Sequence, residues 1–184
     1  MFLADANTGE VKRRLLQPTW SSNYETFRFL NSQAAWSRDG KYLAVTGRRG
    51  KYDDIVILEP KRNKTVKRIT VKIDGLTTPS WSPDGKQLVF TGYIGGYSDL
   101  FIVNSDGSGL KRLTHDQYAD LHPAWSPDGK TIAFTTDRGP GTNFEVLSAG
   151  NFRIGLYDLA SGETRVLNHM IAPRAEAPRS RWPS

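Results

Sequence analysis

Asp120 and His122 are the residues of this sequence whose types and spacing are best suited to binding a ligand. They lie two residues apart in the segment 116–125, which ends in a tryptophan. Alternate side chains of an extended segment point to the same side, so the carboxylate and the imidazole are predicted to face one way. Together they could form a polar or metal-binding site, although two potential ligands do not complete a metal centre. The alternative, which we favour, is a hydrogen-bond network that supports the start of a strand.

Nucleophilic catalysis has little support in the sequence. The chain contains no cysteine and no Gly-x-Ser-x-Gly motif, and its three histidines, at positions 115, 122 and 169, form no His-Glu-x-x-His motif. The glycine-rich segment 137–142 precedes no predicted helix, which argues against a phosphate cradle. We therefore predict no catalytic residue, no cofactor and no complete metal site. Asp120 and His122 remain the candidate site.

Two features could instead form a contact surface for a partner protein. The segment 137–151 is longer than the corresponding segments elsewhere in the chain, and lengthened surface loops commonly carry binding residues. Tyr93, Tyr97 and Tyr118 could add aromatic contacts, although ordinary edge packing explains them equally well.

The charge and composition exclude several classes of protein. The 184 residues carry a net charge of +6, but the basic residues form short separate groups without a nucleic-acid-binding motif, so we predict no nucleic-acid partner. No apolar run approaches the roughly 18 residues of a membrane span, so no membrane insertion is expected. The first ten residues lack the basic and apolar regions of a signal peptide.

Three copies of one repeat position all of these residues. Trp36, Trp81 and Trp125 are 45 and 44 residues apart, and each begins a turn of the type Trp-Ser-x-Asp-Gly-Lys followed by an apolar run. Proline, aspartate and glycine suit the successive positions of such a turn. Each unit also contains a second apolar strand and a short basic strand. The pattern predicts an all-β fold made of four-stranded antiparallel blades, a β-propeller-like array.

The predicted array does not form a complete ring. Residues 1–17 match only the second half of a unit, and three full blades follow at about 34–70, 79–114 and 123–168. Residues 169–184 form a tail rich in proline and arginine, which makes two further strands implausible. About three and a half blades would leave sheet faces open at both ends. We therefore expect a fragment of a larger propeller, or a chain that associates with itself through its open ends. An open arc whose ends are twisted and covered is a third alternative.

The repeat resembles a known family. Trp-Ser-Pro-Asp-Gly-Lys at 81–86 and 125–130, the strand Asp-Leu-Phe-Ile-Val at 99–103 and the basic segment 106–114 are similar to the WD-like repeat of TolB-type β-propellers. This resemblance spans 34–168. It implies a propeller, often six-bladed, with a binding or scaffolding role in the bacterial periplasm or envelope. In such a fold, Asp120 and His122 would lie beside the central channel.

The resemblance specifies fold better than function. The leading hypothesis is a non-catalytic binding or scaffold module that is not an enzyme by itself. The same repeat also occurs in propellers attached to serine peptidases, so the chain could be the propeller portion of a hydrolase whose catalytic domain is absent. Weak intrinsic hydrolase activity is a third hypothesis. Self-association and a protein partner are the expected interactions.

Overall fold

A computed structural model describes residues 2–15, 26–27, 33–146 and 148–167. The described residues form antiparallel sheets and one short 3-10 helix, Pro60–Arg62, and they contain no α-helix. None of the helices in this part of the chain could span a membrane. The predicted tail 169–184 lies outside the described residues.

The described residues contain fifteen strands, which divide into four sheets that follow one another along the chain. The first sheet is a hairpin of β1 (Phe2–Ala4) and β2 (Val11–Arg14). The second contains β3 (Thr26–Phe27), β4 (Ala35–Trp36), β5 (Leu43–Arg49), β6 (Tyr52–Glu59) and β7 (Lys64–Val71). The short strands β3 and β4 both pair with β5 and together occupy one edge of that sheet.

The last two sheets are four-stranded meanders. The third sheet consists of β8 (Gly75–Trp81), β9 (Gln87–Ile94), β10 (Tyr97–Asn104) and β11 (Lys111–Arg112). The fourth consists of β12 (Asp120–Trp125), β13 (Thr131–Thr136), β14 (Arg153–Asp158) and β15 (Thr164–Val166). The second, third and fourth sheets pack face to face in that order, so the prediction of an all-β, propeller-like array in an incomplete ring is confirmed.

The three repeated turns have nearly the same hydrogen bonds. In the middle copy, the Ser82 hydroxyl donates to Asp84 Oδ1 at 2.6 Å, and that carboxylate accepts the Lys86 amide at 3.0 Å. The amide of Gln87 then donates to Ser82 Oγ at 2.9 Å. Gly85 has φ 70, a left-handed conformation that glycine adopts without strain. The sequence repeat therefore encodes one self-contained turn that leads into β5, β9 and β13.

The tryptophans at the ends of β4, β8 and β12 occupy equivalent positions. The Trp81 indole donates to the Ala35 carbonyl of the preceding sheet at 3.1 Å, and the Trp125 indole donates to the Ser80 carbonyl at 3.2 Å. Trp81 is 8% exposed, whereas Trp36 is 47% exposed. These bonds connect the first strand of one sheet to that of the next, and they fix the relative position of successive sheets.

Apolar side chains between the sheets form the core. One cluster joins the second and third sheets, with Ile55, Ile57, Leu88 and Phe90 among its buried members. Another joins the third and fourth sheets. Leu15, which follows the first hairpin, packs on a smaller cluster on the opposite face of the second sheet. The second and third sheets thus each present one face to the preceding element and the other to the following one.

Candidate binding site at the junction of the last two sheets

A buried ion pair dominates the junction between the last two sheets. Asp120 is the first residue of β12 and is fully buried, and Arg138 follows the end of β13 by two residues. Antiparallel pairing of Asp120 with Thr136 brings the two side chains together. The guanidinium donates from Nη1 to Asp120 Oδ1 and from Nη2 to Oδ2 at 2.9 Å, a bidentate arrangement. The pair therefore ties the start of β12 to the segment that follows β13.

Arg138 also contacts the segment before β12. Its Nη2 atom donates to Asp116 Oδ2 at 2.6 Å, and its guanidinium lies 5.2 Å from the centre of the Tyr118 ring. Phe134 lies on another side, with its ring centre 5.6 Å away. A guanidinium can combine ion pairing with contact to aromatic faces, which a lysine ammonium does less well. Arg138 therefore links the segment before β12 and the segment after β13 to side chains of both strands.

The protonation behaviour of this pair reflects its burial. Burial raises the pKa of the Asp120 carboxyl above its ordinary value, while hydrogen bonds from Arg138 and Thr114 oppose that rise. Burial also acts against the charged guanidinium, but the hydrogen bonds and charges of Asp120 and Asp116 raise the pKa of Arg138. The bidentate contact favours the charged form of both groups, so we treat the pair as an ion pair.

A second ion pair lies in the third sheet. Arg112 Nη2 donates to Asp99 Oδ2 at 2.6 Å, and Arg112 Nε donates to the Thr114 carbonyl at 3.1 Å. Asp99 is fully buried, and within the described part of the chain its Oδ1 atom has no hydrogen-bond partner. Burial raises the pKa of Asp99, and the charges of Asp120 and Asp116 add to that increase. The two ion pairs are therefore electrostatically coupled across the junction.

The structure separates the two residues of the sequence-predicted pair. Asp120 is buried, whereas His122 is exposed. The register of β12 shifts between Leu121 and Ala124, and His122 has φ 51, a left-handed conformation. This bulge interrupts the alternation that was expected to place both side chains on one side, so that expectation is wrong. Among the described residues no group of three histidine, cysteine, aspartate or glutamate residues could hold a metal ion. Ligand binding at Asp120 and His122 stays a prediction.

The long segment after β13 folds into a compact loop. Thr142 Oγ1 donates to the Asp137 carbonyl and accepts the Gly150 amide at 2.9 Å. Asn143 and Ser148 exchange backbone hydrogen bonds at 2.8 and 2.9 Å. These contacts close the loop at its base and leave its tip at the surface.

Apolar side chains are exposed at the tip of this loop. Phe144 is 39% exposed and Val146 is 71% exposed. The Phe144 ring contacts Tyr118 edge to face, with ring centres 5.1 Å apart. We call Tyr118, Phe144 and Val146 the insertion surface. Because Tyr118 also contacts Arg138, the buried ion pair supports this surface from below.

Sequence reasoning identified Asp120, Tyr118 and the long loop but missed Arg138, Asp99 and Arg112. Asp120 and Arg138 are separated by 18 residues, and Asp99 and Arg112 by 13. The signal that could have found them was the hairpin register, because residues near opposite ends of a paired hairpin lie side by side.

Comparison with known proteins supports the fold. Residues 16–178 match the profile of a family described as TolB beta propeller domain. No curated protein sequence matches. Putative TolB from Agrobacterium tumefaciens is 26% identical with a TM-score of 0.58; the alignment covers 74% of this chain and 49% of that one.

Two further solved structures share the fold. TolB from Acinetobacter baumannii is 24% identical with a TM-score of 0.66, and the alignment covers 90% of this chain and 37% of that one. Hydrazine synthase from Kuenenia stuttgartiensis is 22% identical with a TM-score of 0.62, and the alignment covers 89% and 42%. The chain therefore spans less than half the length of each of these three structures.

Proposed function

We propose, since the chain belongs to the TolB beta propeller domain family, that it is a non-catalytic module that binds a protein partner through the insertion surface. The observation that carries this proposal is the exposed apolar tip, Phe144 and Val146, held by a buried ion pair beneath it. Exposed aromatic and aliphatic side chains with rigid support are well suited to anchor an interface.

Rigid support lowers the cost of binding. A mobile loop loses conformational freedom when a partner immobilises it, and this loss weakens the complex. Here the base of the loop is closed by Thr142, and Tyr118 contacts both Phe144 and Arg138. Much of the ordering is therefore already present before a partner arrives.

The chemistry of the junction also favours binding over catalysis. Asp120 and Asp99 are fully buried, and each already accepts a hydrogen bond from an arginine. A catalytic carboxylate must reach its substrate, usually within hydrogen-bond distance. These two carboxylates are placed to stabilise the junction and the loops above it. We further propose that the chain corresponds to part of a larger propeller, in keeping with its length relative to the solved structures.

A peptide library displayed on phage provides a defined probe for the insertion surface. Peptides are selected on the immobilised full chain, synthesised, and titrated by calorimetry against the wild type and the double variant Phe144→Asp/Val146→Asp. Val66→Asp is the matched control, because Val66 is 46% exposed on β7, far along the chain from the loop. We expect the double variant to weaken binding at least about tenfold and the control to leave it unchanged.

Two results would contradict the proposal. If the selected peptides bind the double variant as tightly as the wild type, the binding surface lies elsewhere. If the purified chain hydrolyses generic ester or peptide substrates with turnover, the module is not non-catalytic.

A further inference from the structure

The last strand of the second sheet lies in a segment with an unusual excess of positive charge. Residues 60–72, which follow β6 and include β7, contain six basic residues and no acidic residue. The segments that follow β10 and β14 occupy the same place in their sheets, yet residues 105–114 contain two basic residues and one acidic residue, and residues 159–167 contain one of each. Lysine on an exposed strand edge discourages pairing with other chains. Because the third and fourth sheets lack this charge, edge protection alone does not explain it.

We call residues 60–72 the basic rim, and all six of its basic residues are exposed: Lys61, Arg62, Lys64, Lys67, Arg68 and Lys72. Arg62 forms an ion pair with Glu59, in which Nε lies 3.4 Å from Oε1, and the Glu59 side chain is only 12% exposed. Among the described residues, no carboxylate lies within ion-pair distance of Lys61, Lys64 or Lys72. Three lysine charges of the basic rim are therefore available to an anionic partner.

The basic rim lies on the outside of the array. The first strands of successive sheets lie together, as the bonds from the Trp81 and Trp125 indoles show, and β7 forms the opposite edge of its sheet. Described elements flank it on both sides: the Arg13 guanidinium of the first hairpin donates to the Lys61 carbonyl at 2.7 Å, and Ile69 of β7 packs in the cluster between the second and third sheets. Further blades would extend the array at its two ends and would not cover this edge.

An aliphatic side chain is exposed in the middle of the basic rim. The register between β6 and β7 shifts at Ile57 and Leu58, so Val66 has no partner residue in β6, and it is 46% exposed. Bulges of this kind are common at sheet edges, where they redirect a side chain. Val66 lies between Lys64 and Lys67 along the strand. The basic rim therefore combines positive charge with an apolar contact point.

We propose that the basic rim binds the surface of an anionic lipid bilayer, with its lysine ammonium groups at lipid phosphates and Val66 in the headgroup layer. The eight residues of β7 span about 26 Å at about 3.3 Å per residue, so a flat surface can contact the strand along its whole length. Lysine and arginine residues near an anionic membrane each add to the attraction, and a buried apolar side chain strengthens the contact.

A nucleic acid fits the basic rim less well than a bilayer does. Residues 60–72 contain no aromatic residue on which a base could stack, and they form no α-helix that could enter a groove. Val66 would gain nothing beside a phosphate backbone, whereas it gains apolar burial in a headgroup layer. The basic rim belongs to the second sheet, so this inference does not depend on the insertion surface.

Co-sedimentation of the full chain with lipid vesicles tests the proposal. The probes are vesicles of phosphatidylcholine alone and vesicles in which about one lipid in four is phosphatidylglycerol. We expect the wild type to bind only the anionic vesicles and to lose this binding at high salt, because salt screens the attraction. The double variant Lys61→Glu/Lys64→Glu should weaken binding to the anionic vesicles at least about tenfold.

The matched control is Lys111→Glu/Lys130→Glu. Both of these lysines are exposed on other sheets, and the double variant changes the net charge by the same amount. It should weaken binding to the anionic vesicles less than about threefold. Val66→Ser keeps all six basic residues and should weaken binding about threefold, because it removes the apolar contact.

Three results would overturn the proposal. If the two double variants weaken binding equally, net charge governs binding and the basic rim has no special role. If Val66→Ser binds the anionic vesicles as tightly as the wild type, Val66 does not enter the headgroup layer. If the wild type does not bind the vesicles but binds a fluorescently labelled DNA duplex, and Lys61→Glu/Lys64→Glu abolishes that binding, the basic rim is a nucleic-acid surface.

Discussion

The two edges of the full sheets at which successive strands are joined differ in their hydrogen bonds. At one edge, the turns at 37–41, 82–86 and 126–130 have the same serine-to-aspartate bond, 2.6 Å long in all three. At the opposite edge, the Asp120–Arg138 ion pair and the loop it supports belong to the fourth sheet alone among the described sheets. The turns form the same structure three times, whereas the loop edge differs from sheet to sheet. Binding specificity is therefore to be sought at the loop edge.

The largest expected loss of stability comes from breaking the buried ion pair, and breaking the more exposed ion pair beside it should cost much less. Asp120→Ala removes the bidentate partner of Arg138, whose side chain is only 12% exposed, and should lower the free energy of unfolding by about 3–5 kcal/mol. Asp116→Asn is the matched control, because the Asp116 side chain is 46% exposed, and it should cost less than about 1 kcal/mol. Urea unfolding followed by circular dichroism gives both values.

If Asp120→Ala and Asp116→Asn lower the free energy of unfolding equally, the stability of the junction does not depend on the buried pair. The double variant Asp120→Asn/Arg138→Met helps to interpret a large effect. It removes both charges, so it should be less destabilising than Asp120→Ala if an unpaired buried charge is the cause.

A smaller effect tests whether the turns are equivalent. Ser82→Ala removes the donor to Asp84 and the acceptor for the Gln87 amide, and we expect a loss of about 1–2 kcal/mol in the free energy of unfolding. Ser126→Ala removes the same two bonds, to Asp128 and from Thr131. If the turns are interchangeable, its cost should lie within about 0.5 kcal/mol of the first, because it loses the same two hydrogen bonds. A large difference between the two would contradict the view that the turns are interchangeable.

The difference between the repeated turns and the junction explains what could be predicted from the sequence. The turns are local, since all their partners lie within five residues, so Trp81, Asp84 and Gly85 indicated the blade architecture directly. The junction is not local. Arg138 reaches Asp120 only because β12 and β13 pair in a particular register, and a bulge at His122 then changes the direction of one predicted ligand. Bulges and long-range ion pairs depend on tertiary packing, for which a single sequence carries weak signals.

The smallest expected effect is the pH dependence of a turn aspartate. The hydrogen bond from Ser126, followed by that from the Lys130 amide, holds the pKa of Asp128 below its ordinary value of 3.8. A carboxyl group whose pKa is lowered in the folded state stabilises the fold at pH values above its ordinary pKa. This stabilisation is lost as the pH falls through the pKa of the folded state. Asp128→Asn keeps a hydrogen-bond acceptor but no charge. The wild type should therefore melt at a higher temperature than Asp128→Asn near pH 6, and the difference should vanish near about pH 2. Thermal melts of the two proteins between about pH 2 and pH 6 measure this difference. A difference that does not decrease towards acid pH would show that the charge of Asp128 does not stabilise the turn.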